Sequence, residues 1–193
     1  LIGKINEKCK TEWHSVLQVS DEMSEKRNVL TESARIARGD IKSLSELRME
    51  ELDALVIPGG FGAAKNLTKW AFQGPDGEIL PELKKAILDC VQAKKPLVGL
   101  CMGPTVIAKA LEGADFRARM TVGTVKEKSP YDIAAISAGM EKIGAVSEMR
   151  SIDEISIDKH YKIITAPCYM MEGSIVDIHK NVKQAIYALF NMI

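Results

Sequence analysis

Hydrophobic positions along this chain fall into two periods. Short apolar runs bounded by turn residues predict buried strands at Leu52–Ile57, Pro96–Leu100 and Met120–Gly123. Thr11–Val19 alternates, and Glu154–Asp158 and Tyr161–Ala166 read as strands around a turn at Lys159-His160. Between them the period lengthens to that of a helix. Arg27–Arg38 carries Val29, Leu30, Ser33, Ile36 and Ala37 on one face and stops at Gly39. Pro81–Lys94 turns Leu83, Ile87, Cys90 and Val91 inward, and Tyr131–Ile143 is closed by Gly144. Ser174 caps a last helix running through Met192, with a stripe of Ile175, Ile178, Val182, Ile186 and Leu189. Leu1–Cys9 reads as the tail of an amphipathic helix, Asp21–Lys26 as a charged loop, Ser43–Glu50 as a short helical segment and Gly74–Gly77 as a turn.

Strands alternating with helices predict an α/β fold: a mostly parallel sheet covered on both faces, with function at the carboxyl ends of the strands. No internal repeat, low-complexity tract or interdomain linker interrupts residues 1–193, which therefore read as a single domain.

The stretch from Lys95 to Leu111 organises the rest. An apolar strand ends at Leu100, Cys101-Met102-Gly103-Pro104 breaks it, and helix character resumes over Thr105–Leu111. Pro104 suits a first helical turn, where its missing N–H would go unused. Gly99-Leu100-Cys101-Met102-Gly103 has the form G-x-C-x-G, the cysteine version of the nucleophile elbow. Such a turn holds the sulfur at the sheet edge, facing the N–H groups of the following helix, and favours thiolate. By themselves the five residues fit equally a buried cysteine closing a strand. A second glycine turn, Pro58-Gly59-Gly60-Phe61-Gly62, follows the Leu52–Ile57 strand. Its spacing is neither the dinucleotide fingerprint nor a P-loop, so it reads as backbone presenting N–H groups to an oxygen.

Composition narrows the chemistry. The formal net charge of 193 residues is zero, and no basic cluster is dense enough to follow phosphates, which argues against nucleic acid as a partner. No apolar run is long enough to span a membrane. The chain opens on Leu1 rather than methionine, which leaves room for a preceding targeting peptide. The four cysteines, Cys9, Cys90, Cys101 and Cys168, form no C-x-x-C and no zinc spacing with the three histidines His14, His160 and His179. No metal or cofactor is implied. Cys9 and Cys90 read as packing residues in a reducing compartment. The three arginines of the Arg27–Arg38 helix could bind an anion, but the plainer reading is a solvated or ion-paired face.

The elbow and the Pro58-Gly59-Gly60 turn, in this order, resemble the PfpI and class I glutamine-amidotransferase-like superfamily. RNVLTESARIARG at 27–39, DALVIPGGFGAAKNL at 53–67 and ITAPCYM at 164–170 narrow the likeness to its ElbB branch, described as glyoxalase-like or isoprenoid-biosynthesis-associated. The resemblance covers nearly the whole chain and implies a flavodoxin-like three-layer sandwich. It makes Cys101 the nucleophile. Gly60 and Met102 would supply oxyanion N–H groups, with Gly59 in the same substrate-binding turn. Members carry a first strand and, on the helix after it, a glutamate bonded to the cysteine; both would lie before Leu1. The Trp13–Glu22 stretch is also shorter than in relatives. A homodimer and a cytoplasmic or mitochondrial location follow from the same likeness.

Amidotransferases of this superfamily place a histidine and a glutamate in H-x-E spacing after the elbow. This chain reads His160-Tyr161-Lys162 and His179-Lys180-Asn181 instead. Met120–Tyr131 holds no histidine of the kind PfpI-type members carry soon after the elbow. Glutamine hydrolysis and proteolysis are thus both disfavoured. A thiolate beside two N–H donors suits addition to an aldehyde, and the expected substrate is a small 2-oxoaldehyde such as methylglyoxal. The alternatives are a redox sensor that oxidises Cys101 to sulfinate, or a pocket that only binds a metabolite or partner. Around the site, Arg27, Lys65, Asn66 and Cys168 are candidate pocket residues. Packing is the favoured reading of Cys168, and helix capping an equal one for Asn66.

Overall fold

The computed structural model describes residues 12–14, 26–39 and 41–193, the side chains at 12–14, 26, 27 and 36 excepted. The helix expected over Leu1–Cys9, most of the strand over Thr11–Val19 and the loop beginning at Asp21 fall outside them. Strand β1 (Glu12–His14) pairs antiparallel with β2 (Lys26–Asn28), which leads directly into α1 (Val29–Ile36). This helix starts later than its periodicity predicts. Arg27 and Asn28 belong to the strand, and the Asn28 side chain caps the helix by accepting from the Thr31 N–H. Ser43–Glu50 resolves into two 3-10 turns, Leu44–Glu46 and Met49–Glu51.

The central strands are β3 (Leu55–Ile57) and β4 (Leu97–Leu100), with α2 (Trp70–Gln73) and α3 (Pro81–Gln92) between them. Helix α4 (Gly103–Leu111) follows β4 after two residues. Next come β5 (Arg119–Gly123), α5 (Ile133–Lys142) and β6 (Val146–Met149). The chain closes with β7 (Ser156–Asp158), β8 (Ile163–Ala166) and α6 (Ile175–Phe190). One sheet runs β3-β4-β8-β7, parallel except for β7, which forms an antiparallel hairpin with β8. Strands β5 and β6 pair parallel to each other. The Thr121 N–H of β5 donates to Thr165 Oγ1 of β8 at 2.9 Å, and the Arg119 N–H to Asp158 Oδ2 at 2.9 Å, which joins the two pieces. Strand β6 carries no apolar run and is only partly buried, so nothing in its sequence marks it as a strand.

Strand β4 is buried along its whole length, and its side chains alternate between two cores. Leu97 joins Ile57, Leu83, Ile87 and Ile107 beneath α3 and α4, while Val98 and Leu100 join Ile164, Ile178, Ala185 and Leu189 beneath α6. The result is the expected mixed α/β, flavodoxin-like sandwich with a mostly parallel sheet. On helix α6, four of the five predicted stripe positions face the sheet: Ile178 and Leu189 are buried, and Val182 and Ile186 pack against the same cluster. Its buried face is Ile178, Asn181, Ala185 and Leu189, while Ile175 is 75% exposed.

Ser174 caps α6 in a full capping box: its Oγ accepts from the Asp177 N–H, and Asp177 accepts from the Ser174 N–H and hydroxyl. Those two Ser174 donors hold the Asp177 carboxyl below its usual range. With the folded value depressed, the cap is fully present above the unfolded carboxyl's pKa and is lost as pH falls through the folded one. Asp177→Asn should therefore flatten part of the fall in Tm between roughly pH 5 and 2. Asp76 and Glu154, shifted the same way, carry more of that fall. Thermal melts across that range decide it; a slope equal to the wild type's would refute the assignment.

Candidate active site at the carboxyl edge of β4

Cys101 leaves β4 with φ at 56°, in the left-handed region that non-glycine residues seldom occupy. Neighbouring backbone enforces this turn. A Cβ on Gly99 would lie 3.1 Å from the Gly103 carbonyl carbon and the Pro104 nitrogen, and one on Gly103 2.7 Å from the Ile57 carbonyl oxygen. Glycine at both places lets strand, elbow and helix close this tightly. Met102 caps α4 and is buried, and Pro104 occupies the first helical turn as expected.

Three backbone N–H groups reach the half-buried Cys101 sulfur: those of Gly60, Met102 and Tyr169. Gly60 and Met102 are the two the resemblance implies; Tyr169 is new. Gly59 supports the elbow itself. At φ 78° it packs its Cα against the elbow, where a Cβ would stand 2.0 Å from the Leu100 carbonyl oxygen and 2.9 Å from the Met102 nitrogen. Its part is to let the second glycine turn lie flat on the first, so that the next N–H points at the sulfur.

The electrostatic balance at the sulfur reverses the expected preference for thiolate. Burial pushes the Cys101 thiol above its ordinary value, and the three N–H donors offset this only in part. The resting group is predominantly thiol at neutral pH.

The structure brings Cys168 to the same place. Strands β4 and β8 pair with Leu100 opposite Ala166, and the Cys101 N–H donates to the Ala166 carbonyl at 3.0 Å. Beyond Ala166 the chain turns through Pro167 into a 3-10 turn, Cys168–Met170, and Cys168 has φ at 49°. The Cys168 thiol is buried beside the elbow, in contact with the Cys101 N–H, and is pushed up to about 12, first by burial and further by the negative charge of a Cys101 thiolate. Asn181, fully buried on α6, holds this turn from behind: its Oδ1 accepts from the Cys168 N–H at 2.9 Å, and its Nδ2 donates to the Glu154 carbonyl at 2.8 Å. Sequence reading missed Asn181. A polar residue among apolar ones on the inward face of a helix was the available signal.

Tyr131 was missed as well. Its hydroxyl is shifted upward by burial and by the Cys101 charge, so it stands within electrostatic reach of the sulfur. Its N–H donates to Ser129 Oγ at 2.9 Å, whose hydroxyl donates to the Met170 carbonyl at 2.6 Å, stitching the loop after β5 to the turn after β8. The Tyr131 ring packs on Phe61, with centroids 5.7 Å apart.

Lys65 lies in a single π-helical turn, Ala63–Leu67, buried to 8% exposure, its Nζ 5.8 Å from the Phe61 ring centroid and 5.5 Å from that of Phe72. Asn66 sits inside that turn and caps nothing; Thr68 Oγ1 accepts from the Trp70 N–H instead. Arg27 is in β2, and its side chain lies outside the described residues, as does Cys9. Arg35 pairs with Glu32 at 3.0 Å, in line with the ion-paired reading of that face. Cys90 is fully buried and pushed up to about 11, chiefly by burial. His160 stands in the β7–β8 turn against Tyr161, and His179 lines a surface groove on α6. Among the described residues, no group of three or more His, Cys, Asp or Glu side chains could hold a metal ion, and no helix is long and apolar enough to cross a membrane.

Comparison with known proteins agrees with this fold. Residues 14–186 match the family described as Glutamine amidotransferase class-I. This chain belongs to the class I glutamine amidotransferase-like superfamily. Among members of that superfamily, the chain is 36% identical over 176 residues to the rat (Rattus norvegicus) ES1 protein homolog, mitochondrial, which covers 89% of this chain and 64% of the rat protein. It is 38% identical over 161 residues to the human (Homo sapiens) glutamine amidotransferase-like class 1 domain-containing protein 3, mitochondrial, covering 82% of this chain and 58% of that one. The chain thus spans less than two thirds of the length of both relatives. The crystal structure of an isoprenoid biosynthesis protein with amidotransferase-like domain from Ehrlichia chaffeensis superposes with a TM-score of 0.76 at 31% identity, over 90% of this chain and 75% of that one.

Proposed function

We propose that this superfamily member is a glyoxalase-like enzyme of the ElbB branch, converting small 2-oxoaldehydes such as methylglyoxal to 2-hydroxy acids without glutathione. The observation that carries the reading is the convergence of the Gly60, Met102 and Tyr169 N–H groups on the Cys101 sulfur. Oxygen on a carbon bonded to that sulfur would lie among donors already in position. Cys101 loses its proton and its sulfur bonds to the aldehyde carbon, giving a hemithioacetal. A proton then moves from that carbon to the adjacent one through an enediol, leaving a thioester. Water cleaves the thioester, releasing lactate and restoring the thiol. The Tyr131 hydroxyl, kept protonated by burial and by the Cys101 charge, is suited to donate a hydrogen bond to the substrate's second oxygen.

The branch assignment draws support from the isoprenoid biosynthesis protein of Ehrlichia chaffeensis. The word mitochondrial in the names of the rat and human relatives supports a mitochondrial location within this proposal. The homodimer expected from the resemblance belongs to the same proposal.

Lactate formation from methylglyoxal, followed by chiral chromatography, is the test. Cys101→Ala should abolish it, and Tyr131→Phe should lower kcat roughly tenfold to a hundredfold. Because the resting sulfur is thiol, the wild-type rate should rise with pH through the neutral range. Turnover unchanged in Cys101→Ala would overturn the reading.

A further inference from the structure

The aldehyde chemistry uses one sulfur, yet the fold delivers two to the same sheet edge. Leu100 and Ala166 are paired across adjacent parallel strands, and the Cys101 N–H is bonded to the Ala166 carbonyl. Each chain then turns through a left-handed cysteine, Cys101 at φ 56° and Cys168 at φ 49°. Both are free thiols packed in one cluster with Leu100, Ile164 and Ile178. They differ in access. Cys101 is half-buried, whereas Cys168 is 3% exposed. Asn181 fixes the Cys168 backbone in place, so the second sulfur is held beside the Cys101 N–H. A packing cysteine needs neither the strained backbone nor the buried amide behind it.

We propose that Cys168 is the resolving thiol for Cys101, so that a hydroperoxide converts the pair to an intramolecular disulfide. The Cys101 sulfur attacks the outer peroxide oxygen. The O–O bond breaks, Cys101 becomes a sulfenic acid, and the other oxygen leaves as alcohol or water. Cys168 then attacks the Cys101 sulfur; the S–O bond breaks, the Cys168 proton departs with the hydroxide as water, and the S–S bond forms. Two electrons pass from the two sulfurs to the peroxide. The order follows from access: Cys101 is half-buried, whereas Cys168 is almost wholly withdrawn from solvent, and that burial also keeps its thiol protonated. Peroxide therefore meets Cys101 first, and Cys168 intercepts the product before it reaches sulfinate, a state thiols do not reverse. The disulfide ties up the nucleophile until a dithiol reductant releases it.

This inference does not rest on the aldehyde reading, because its readout is chemical rather than catalytic. The full chain is treated with graded hydrogen peroxide, blocked with N-ethylmaleimide and mapped as non-reduced peptides by mass spectrometry. In the wild type, the Cys101 and Cys168 peptides should appear joined and should separate with dithiothreitol, while buried Cys90 stays reduced. In Cys168→Ala, Cys101 should instead accumulate as sulfinate or sulfonate, at least about fivefold more than in the wild type. The proposal is overturned if wild-type Cys101 proceeds to sulfinate with Cys168 still free, to the same extent as in the variant. A Cys101–Cys9 disulfide formed in place of the Cys101–Cys168 one also overturns it. Should Cys168→Ala fail to fold, Cys168→Ser and the wild-type map carry the same two outcomes.

Discussion

Gly59→Ala should destabilise this protein by at least about 3 kcal/mol, whereas Gly60→Ala, one residue along, should cost only about 1–2 kcal/mol. Both residues have positive φ, 78° and 82°, so both substitutions carry the left-handed strain of an L side chain. What separates them is space. A Cβ on Gly59 would stand 2.0 Å from the Leu100 carbonyl oxygen and 2.9 Å from the Met102 and Gly103 nitrogens, whereas a Cβ on Gly60 meets nothing within 4 Å. Those backbone atoms belong to β4 and the start of α4, which are buried throughout and cannot retreat without disturbing both cores. Urea denaturation of the two variants side by side reads the difference. Equal midpoints would mean that the two glycine turns do not bear on each other. Gly60→Ala keeps its N–H, so it should also keep Cys101 reactivity.

Asn181→Ala should cost on the order of 2–4 kcal/mol and lower the reactivity of Cys101 toward thiol reagents. The side chain is fully buried and spans two backbone groups that have no other hydrogen-bond use for it to yield to: the Cys168 N–H and the Glu154 carbonyl. Removing it strands one donor and one acceptor, each worth about 1–3 kcal/mol when buried and unpaired. The turn released is the one that carries Cys168 and presents the Tyr169 N–H to the sulfur. Asn181→Asp keeps an acceptor for the Cys168 N–H, loses the donor to Glu154 and adds a buried charge, so it should be no milder. Equilibrium denaturation gives the first effect, and the rate of Cys101 alkylation under native conditions gives the second. A destabilised variant with unchanged alkylation would confine Asn181 to holding α6 against the sheet.

Much of the architecture was legible because it depends on local pattern. The β4 run, the G-x-C-x-G turn and the amphipathic spacing of α3 require particular residues wherever the chain sits, and glycine at 99 is favoured by contact distances within one strand–turn–helix unit. The Ser174 cap was readable for the same reason, since its partners lie within three residues. Strand β6 was not: its four residues are partly exposed and owe their conformation to pairing with β5, far away in sequence. The buried face of α6 was legible in part: Ile178, Val182, Ile186 and Leu189 lie against the sheet, while Asn181 and Ala185 join them through the way the helix lies across β4 and β8.

For the site, the sequence determined which sulfur ends the middle strand and which glycine turn faces it, because both are written in short contiguous motifs. Only the tertiary structure decided what surrounds that sulfur. Register between β4 and β8 brought Cys168 and the Tyr169 N–H across a gap of more than sixty residues, α6 supplied Asn181 behind them, and the loop after β5 supplied Tyr131. The state of the thiol followed from the same source. Motif chemistry alone points to thiolate, but how far a group is withdrawn from water is a property of the whole fold, and here that withdrawal outweighs three well-aimed N–H groups.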